Sequence, residues 1–141
     1  MTAKDIIASM SGCAGQRCMA ASVLIIVGKN DKLIEQLLIE AKQLNCGENL
    51  GAIISLESKQ RLENCIETAI KDGAECILDG RNPKSTEEKG YYLGPTILDN
   101  VTENMSAYKD ELFGPILSIV RVNSIEEAIN LENSSMYGNG A

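Results

Sequence analysis

At 141 residues, 44% hydrophobic and 23% charged, the chain is long enough for one domain with a real core and ordinary in composition for a globular protein. Thirteen basic against twenty acidic side chains leave a net charge of −7, which gives no electrostatic footprint for nucleic acid and would be repelled by an anionic membrane surface. No apolar run approaches the ~20 residues needed to span a bilayer, and the absence of histidine excludes a Ser-His or Cys-His couple within these residues and most zinc sites, so no metal is expected.

Residues 1–10 read as a short helix with Ile6, Ile7 and Met10 on one face. A glycine-rich loop, Gly12 to Cys18, follows. Ser22-Val23-Leu24-Ile25-Ile26-Val27-Gly28 is a continuous β-branched run, the pattern of a strand buried on both faces. A helix from Asp31 to Leu44 is predicted by the period of Leu33, Ile34, Leu37, Leu38, Ala41 and Leu44, with Asn30 or Asp31 as its cap. After a loop over 45–51, Ser55 caps a second long helix to Asp72, with an inner face of Leu56, Leu62, Cys65, Ile66, Ala69 and Ile70 and with Gly73 at the C-terminal cap.

Glu75–Leu78 is a short strand, residues 81–90 a polar exposed loop in which Glu87 and Glu88 are solvated, and Tyr91–Leu98 an extended stretch broken by Gly94-Pro95. Residues 100–110 read as irregular. The turn Phe113-Gly114-Pro115 leads into a second buried strand, Ile116–Val122. Ser124 then caps a last helix carrying Ile125, Ala128, Ile129 and Leu131, with Glu126 and Glu127 well placed in its first turn, and residues 137–141 are turn-like. The alternation argues for one α/β domain, three layers deep, with a largely parallel sheet flanked by helices.

Chemistry concentrates in Gly12-Cys13-Ala14-Gly15-Gln16-Arg17-Cys18-Met19-Ala20. A thiolate is a nucleophile, an adjacent guanidinium favours the anion, and small flanking residues admit a substrate to the sulfur. The residues alone leave two readings of Cys18, a nucleophile toward a carbonyl carbon or a core thiol, the commonest place for a reduced cysteine. The five cysteines, at 13, 18, 46, 65 and 76, have no C-x-x-C spacing, and an odd number suits reduced thiols better than a disulfide framework. Cys65 and Cys76 read as core, and a Cys13–Cys18 disulfide is less favoured than chance proximity. The first residues lack the apolar core and cleavage site of a secretory signal. Together these point to a reducing compartment, either cytoplasm or mitochondrial matrix.

Gly15-Gln16-Arg17-Cys18 followed by a strand resembles the nucleophile loop of the aldehyde dehydrogenase superfamily, and Glu111-Leu112-Phe113-Gly114-Pro115 resembles its E-x-F-G-P motif. Gly94-Pro95-Thr96 resembles the superfamily's G-x-x-x-x-P-T-[IL] stretch, and the loop Gly12 to Ala20, Ile54-Ser55-Leu56-Glu57-Ser58-Lys59-Gln60-Arg61, Leu78-Asp79-Gly80-Arg81 and Tyr137-Gly138-Asn139-Gly140 are similar to segments of its CoA-acylating methylmalonate-semialdehyde branch. Cys13 stands where that branch usually has alanine, and Ala52 where a proline is common.

The resemblance implies a catalytic-domain fold in which Cys18 attacks an aldehyde carbon and carries a thioester after hydride transfer to NAD. CoA, or water in a hydrolytic relative, then resolves the thioester. It implies further that Arg17 binds the carboxylate of a small semialdehyde, that Glu111 accepts hydrogen bonds from the nicotinamide ribose, and that Phe113 packs near the nicotinamide. Without the resemblance, the same residues read as a surface arginine, a solvated glutamate and a core aromatic. No G-x-G-x-x-G fingerprint is present, so residues 1–141 are expected to be part of a catalytic domain, without the cofactor-binding domain and the segment that makes the full-length enzyme a homo-oligomer, and inactive by themselves. Two competing readings are a piece of a hydrolytic aldehyde dehydrogenase and a non-catalytic α/β module that binds a partner.

Overall fold

A computed structural model describes residues 2–84, 89–138 and 140; the Glu87–Glu88 pair and Asn139 and Ala141 of the terminal turn lie outside the described residues. Helix α1 spans Ala3–Ser11 and starts at a capping box: the Asp5 amide donates to Thr2 Oγ1 (3.4 Å) and the Thr2 amide to Asp5 Oδ2 (3.0 Å). Strand β1 is Val23–Val27, helix α2 Asp31–Ala41 and helix α3 Leu56–Lys71. Strands β2 (Glu75–Leu78) and β3 (Thr96–Asp99), the single turn α4 (Ser106–Lys109), strand β4 (Ile116–Val122) and helix α5 (Ile125–Asn133) complete the order.

The sheet runs β1-β4-β3-β2, parallel between β1 and β4 and between β4 and β3, antiparallel between β3 and β2. It is therefore largely parallel, as expected, with one reversed edge. Central β4 alternates cleanly. Leu117 and Ile119 point into a cluster with Ile7 and Met10 of α1 and Leu37 of α2, whereas Ile116 and Val120 face Leu62, Ile66 and Ala69 of α3. Two apolar faces, each covered by helices, make the three layers.

The structure differs from the sequence-based expectations at several points. β1 is an edge strand of which only Ile26 is buried, not a strand enclosed on both faces: continuous apolarity describes the side chains, and only the pairing order decides whether a neighbour lies alongside. Helix α2 ends at Ala41, three residues early, and Leu44 packs against the core from the following turn. On α3, Leu56 and Ile70 are exposed, and on α5 so are Ile125 and Ile129. Residues 100–110 contain α4 and bury Val101, Met105 and Ala107. Cys46, held in a loop, is buried in the core, and Cys65 and Cys76 are half-buried but pack against it as expected; no cysteine among the described residues is in a disulfide.

One charged pair reaches the interior. Asp99, 5% exposed, is gripped by Arg121 through Nε (2.9 Å) and Nη2 (2.7 Å) and also accepts from the Asn100 amide (2.7 Å). Burial pushes its carboxyl up, but the Arg121 and Asn100 hydrogen bonds outweigh that and leave it below the usual range. The short Gly94-Pro95-Thr96 match has a structural use: the Gly94 amide donates to the Gly80 carbonyl (2.8 Å), and the Gly80 amide donates to the buried Thr96 hydroxyl (3.1 Å).

Candidate active site

After α1 the chain turns back through three consecutive left-handed residues, Cys13 (φ 53), Ala14 (φ 54) and Gly15 (φ 70). Such a run is costly for residues with a Cβ, so it persists only where contacts hold it. The main one is backbone against backbone. A Cβ on Gly15 would lie 2.1 Å from the Gly114 carbonyl oxygen and 2.9 Å from that of Met10. The cysteine loop thus touches the Glu111–Pro115 turn at a point where only glycine fits.

That turn is itself constrained. Phe113 is left-handed (φ 57), an uncommon state for a bulky side chain that costs on the order of 1–3 kcal/mol. Arg61 of α3 donates to the Leu112 carbonyl, and the Glu111 amide donates to the Tyr137 hydroxyl (3.2 Å). Held on both sides, the turn leaves Phe113 40% exposed and Glu111 exposed rather than packed into the core.

Cys18, Arg17, Glu111, Phe113 and Tyr137 line one cleft of about 440 Å³, which runs on beside β1. The four residues singled out from sequence are brought together there, and the sulfur-bearing residue is exposed. Arg17 is anchored through part of its guanidinium. Its Nε donates to the Gly12 carbonyl (3.0 Å) and its Nη2 to the Ser9 carbonyl (2.7 Å), closing the C-terminal turn of α1. These two bonds run to the end of α1; the remaining N–H groups of the fork are those open to a ligand.

Sequence reasoning passed over Gln16, Arg61 and Tyr137, although each lies in a segment that resembles the family. Amide, guanidinium and phenol groups distant from a nucleophile carry no chemical flag in one dimension. Among the described residues no cluster of three metal-ligating side chains occurs, and no helix is long and apolar enough to cross a membrane.

A thiol, a carboxylate and an aromatic ring thus meet on two abutting loops of a three-layer α/β domain. The chain belongs to the aldehyde dehydrogenase family, whose profile matches residues 1–141. Its relatives narrow this. It is 44% identical over 145 residues to malonate-semialdehyde dehydrogenase 1 of Geobacillus thermodenitrificans, covering 98% of this chain and 30% of that protein. It is 40% identical over 146 residues to the Bos taurus mitochondrial methylmalonate-semialdehyde/malonate-semialdehyde dehydrogenase [acylating], covering 99% of this chain and 27% of that one. A Sinorhizobium meliloti structure described as a putative methylmalonate-semialdehyde dehydrogenase complexed with NAD superposes with a TM-score of 0.93 at 37% identity, over 98% of this chain and 30% of that one. The chain therefore spans about 30% of the length of the relatives it matches.

Proposed function

We propose that this chain supplies the thiol-bearing part of an enzyme that oxidises malonate or methylmalonate semialdehyde, with Cys18 as nucleophile, NAD as hydride acceptor and CoA as acyl acceptor. The observation that carries the reading is the meeting of exposed Cys18 with Glu111 and Phe113 in one cleft, their two loops pressed together at Gly15 and Gly114. The names of the relatives support the substrate class, and the word acylating in the bovine name supports CoA.

The Cys18 thiolate attacks the aldehyde carbon; a C–S bond forms and the carbonyl electron pair moves to oxygen, where a backbone N–H near the cysteine stabilises it. The remaining N–H groups of Arg17 orient the substrate's carboxylate. The residues present fit a nicotinamide nucleotide: Glu111 offers an exposed carboxylate that would accept from ribose hydroxyls, and Phe113 an exposed ring face that would flank the nicotinamide. NAD held by Glu111 and Phe113 would supply the hydride acceptor for the carbon bound to Cys18. The CoA thiolate then attacks the resulting thioester, and the acyl–Cys18 bond breaks to return the Cys18 thiolate.

In this reading residues 1–141 are part of a catalytic domain, most NAD contacts and the homo-oligomeric interface come from segments outside them, and these residues alone give little or no turnover. Of the two compartments expected, cytoplasm or matrix, the word mitochondrial in the bovine relative's name supports the second.

Cys13 provides an internal reference, being exposed on the same loop. Alkylation with iodoacetamide, followed by peptide mapping, should modify Cys18 ahead of Cys13, and malonate semialdehyde should slow Cys18 alone. Equal rates, indifferent to the semialdehyde, would refute the nucleophile.

A further inference from the structure

Between Gly15 and Arg17, the Gln16 side chain bridges two parts of the molecule far apart in sequence. Its Nε2 donates to the Ala52 carbonyl (3.1 Å) and to the Cys13 carbonyl (3.2 Å), while its Oε1 accepts from the Ile54 amide (2.9 Å). The side chain thus does what a neighbouring strand would do, offering one donor and one acceptor to the backbone of residues 52–54. That backbone is itself anchored: the Ile53 amide donates to the Tyr91 carbonyl (2.8 Å), and the Ser55 hydroxyl caps α3 by accepting from the Ser58 amide (3.0 Å).

Beyond the 3-10 turn Gly12–Gly15, the loop's main-chain bonds include Gln16 N–H to the Cys13 carbonyl and Ala20 N–H to the Arg17 carbonyl (both 3.1 Å). In addition to the Gly15–Gly114 contact, two successive side chains tie it to separate anchors, Gln16 to the 52–54 segment and Arg17 to the end of α1. Cys18 is the next residue.

We propose that Gln16 is a positioning residue: its primary amide clamps the cysteine loop to the 52–54 segment and so fixes where Cys18 stands in the cleft. This rests on Cys18 being the nucleophile. An amide is required because the clamp needs donor and acceptor on one planar group, facing Ala52 O and Ile54 N–H together.

The test uses Gln16→Met, of similar length but unable to bond, and Gln16→Glu, which keeps the acceptor and regains a donor only when protonated. In Gln16→Met the Cys18-to-Cys13 alkylation ratio should fall about fivefold, the weight of one neutral hydrogen bond. Hydrogen exchange at the Ile54 amide should quicken by a similar factor while the β4 amides keep their protection, which separates loop release from unfolding. In Gln16→Glu, read with an aromatic disulfide that titrates thiols in acid, the ratio should be low near neutrality and recover as pH falls through the carboxylate range; wild type should show no such step. A selective wild type whose ratio and Ile54 exchange are unchanged in Gln16→Met, or a Gln16→Glu profile without the acid recovery, overturns the positioning role alone. A wild type that shows no preference for Cys18 and no semialdehyde protection overturns the nucleophile, and this proposal with it.

Discussion

Gly15→Ala and Gly28→Ala form a matched pair that isolates the contact on which the site's geometry depends. Both glycines are left-handed, at φ 70 and φ 69, so each substitution forces an L residue into the same disfavoured region at about 1–2 kcal/mol. Around Gly28 a new Cβ meets nothing within 4 Å, and that is the whole effect. At Gly15 the Cβ would sit 2.1 Å from Gly114 O, 2.4 Å from Gly114 C and 2.9 Å from Met10 O. All three are backbone atoms, so no side-chain rotation relieves the collision, and the cysteine loop must move off the Phe113 turn. Overpacking of this kind adds about 1–3 kcal/mol, giving about 2–5 kcal/mol in total for Gly15→Ala against the roughly 5–15 kcal/mol that holds a domain together. Urea unfolding followed by circular dichroism should place the midpoint of Gly15→Ala clearly below that of Gly28→Ala, with the Cys18 alkylation preference lost only in the former. Equal midpoints and equal Cys18 preference in the two variants would show that the two loops are not in forced contact.

Arg121→Met leaves the Asp99 carboxylate with the Asn100 amide as its one remaining bond. It should lose about 2–3 kcal/mol, below the full cost of a broken buried pair because Arg121 still reaches water. Since the folded-state pKa of Asp99 is depressed, its stabilisation is complete above the ordinary carboxylate range and is lost as pH falls through the lower folded value. Acid titration of the unfolding free energy should show this limb in wild type and a weaker one in Arg121→Met; identical limbs would contradict the assignment. Burial pushes the thiols of Cys46, Cys65 and Cys76 up, so their contribution holds below the ordinary thiol range and fades as pH rises through the raised folded values. Native-state alkylation should accordingly reach these three after Cys13 and Cys18, and urea should remove the lag; early labelling of Cys46 would mean that its loop opens readily.

The positions of the elements were legible because their causes are local. Ser55 and Ser124 each accept from the amide three residues on, and Asn30 does the same for α2, so the helix starts fall where capping side chains predict. The inner faces were read less well. Ile125, Ile129, Leu56 and Ile70 follow helical period yet are exposed, because periodicity marks a candidate face and the amount of sheet beneath it decides what is covered. The site was legible as residue types in motifs. Its working geometry was not, since Arg17 is adjacent to Cys18 in sequence but directs its hydrogen bonds to α1.

By itself the order of residues determined an α/β alternation, most strand and helix positions and the family, and it singled out Arg17, Cys18, Glu111 and Phe113 as candidates, all from local propensity or from motifs. Only the tertiary structure decided that β1 is an edge, that β2 runs antiparallel, that Gly15 meets Gly114 and that Gln16 clamps residues 52–54. Each of these is a contact between segments distant along the chain, selected by how the two apolar faces of the sheet are covered, and no short window of sequence contains both partners.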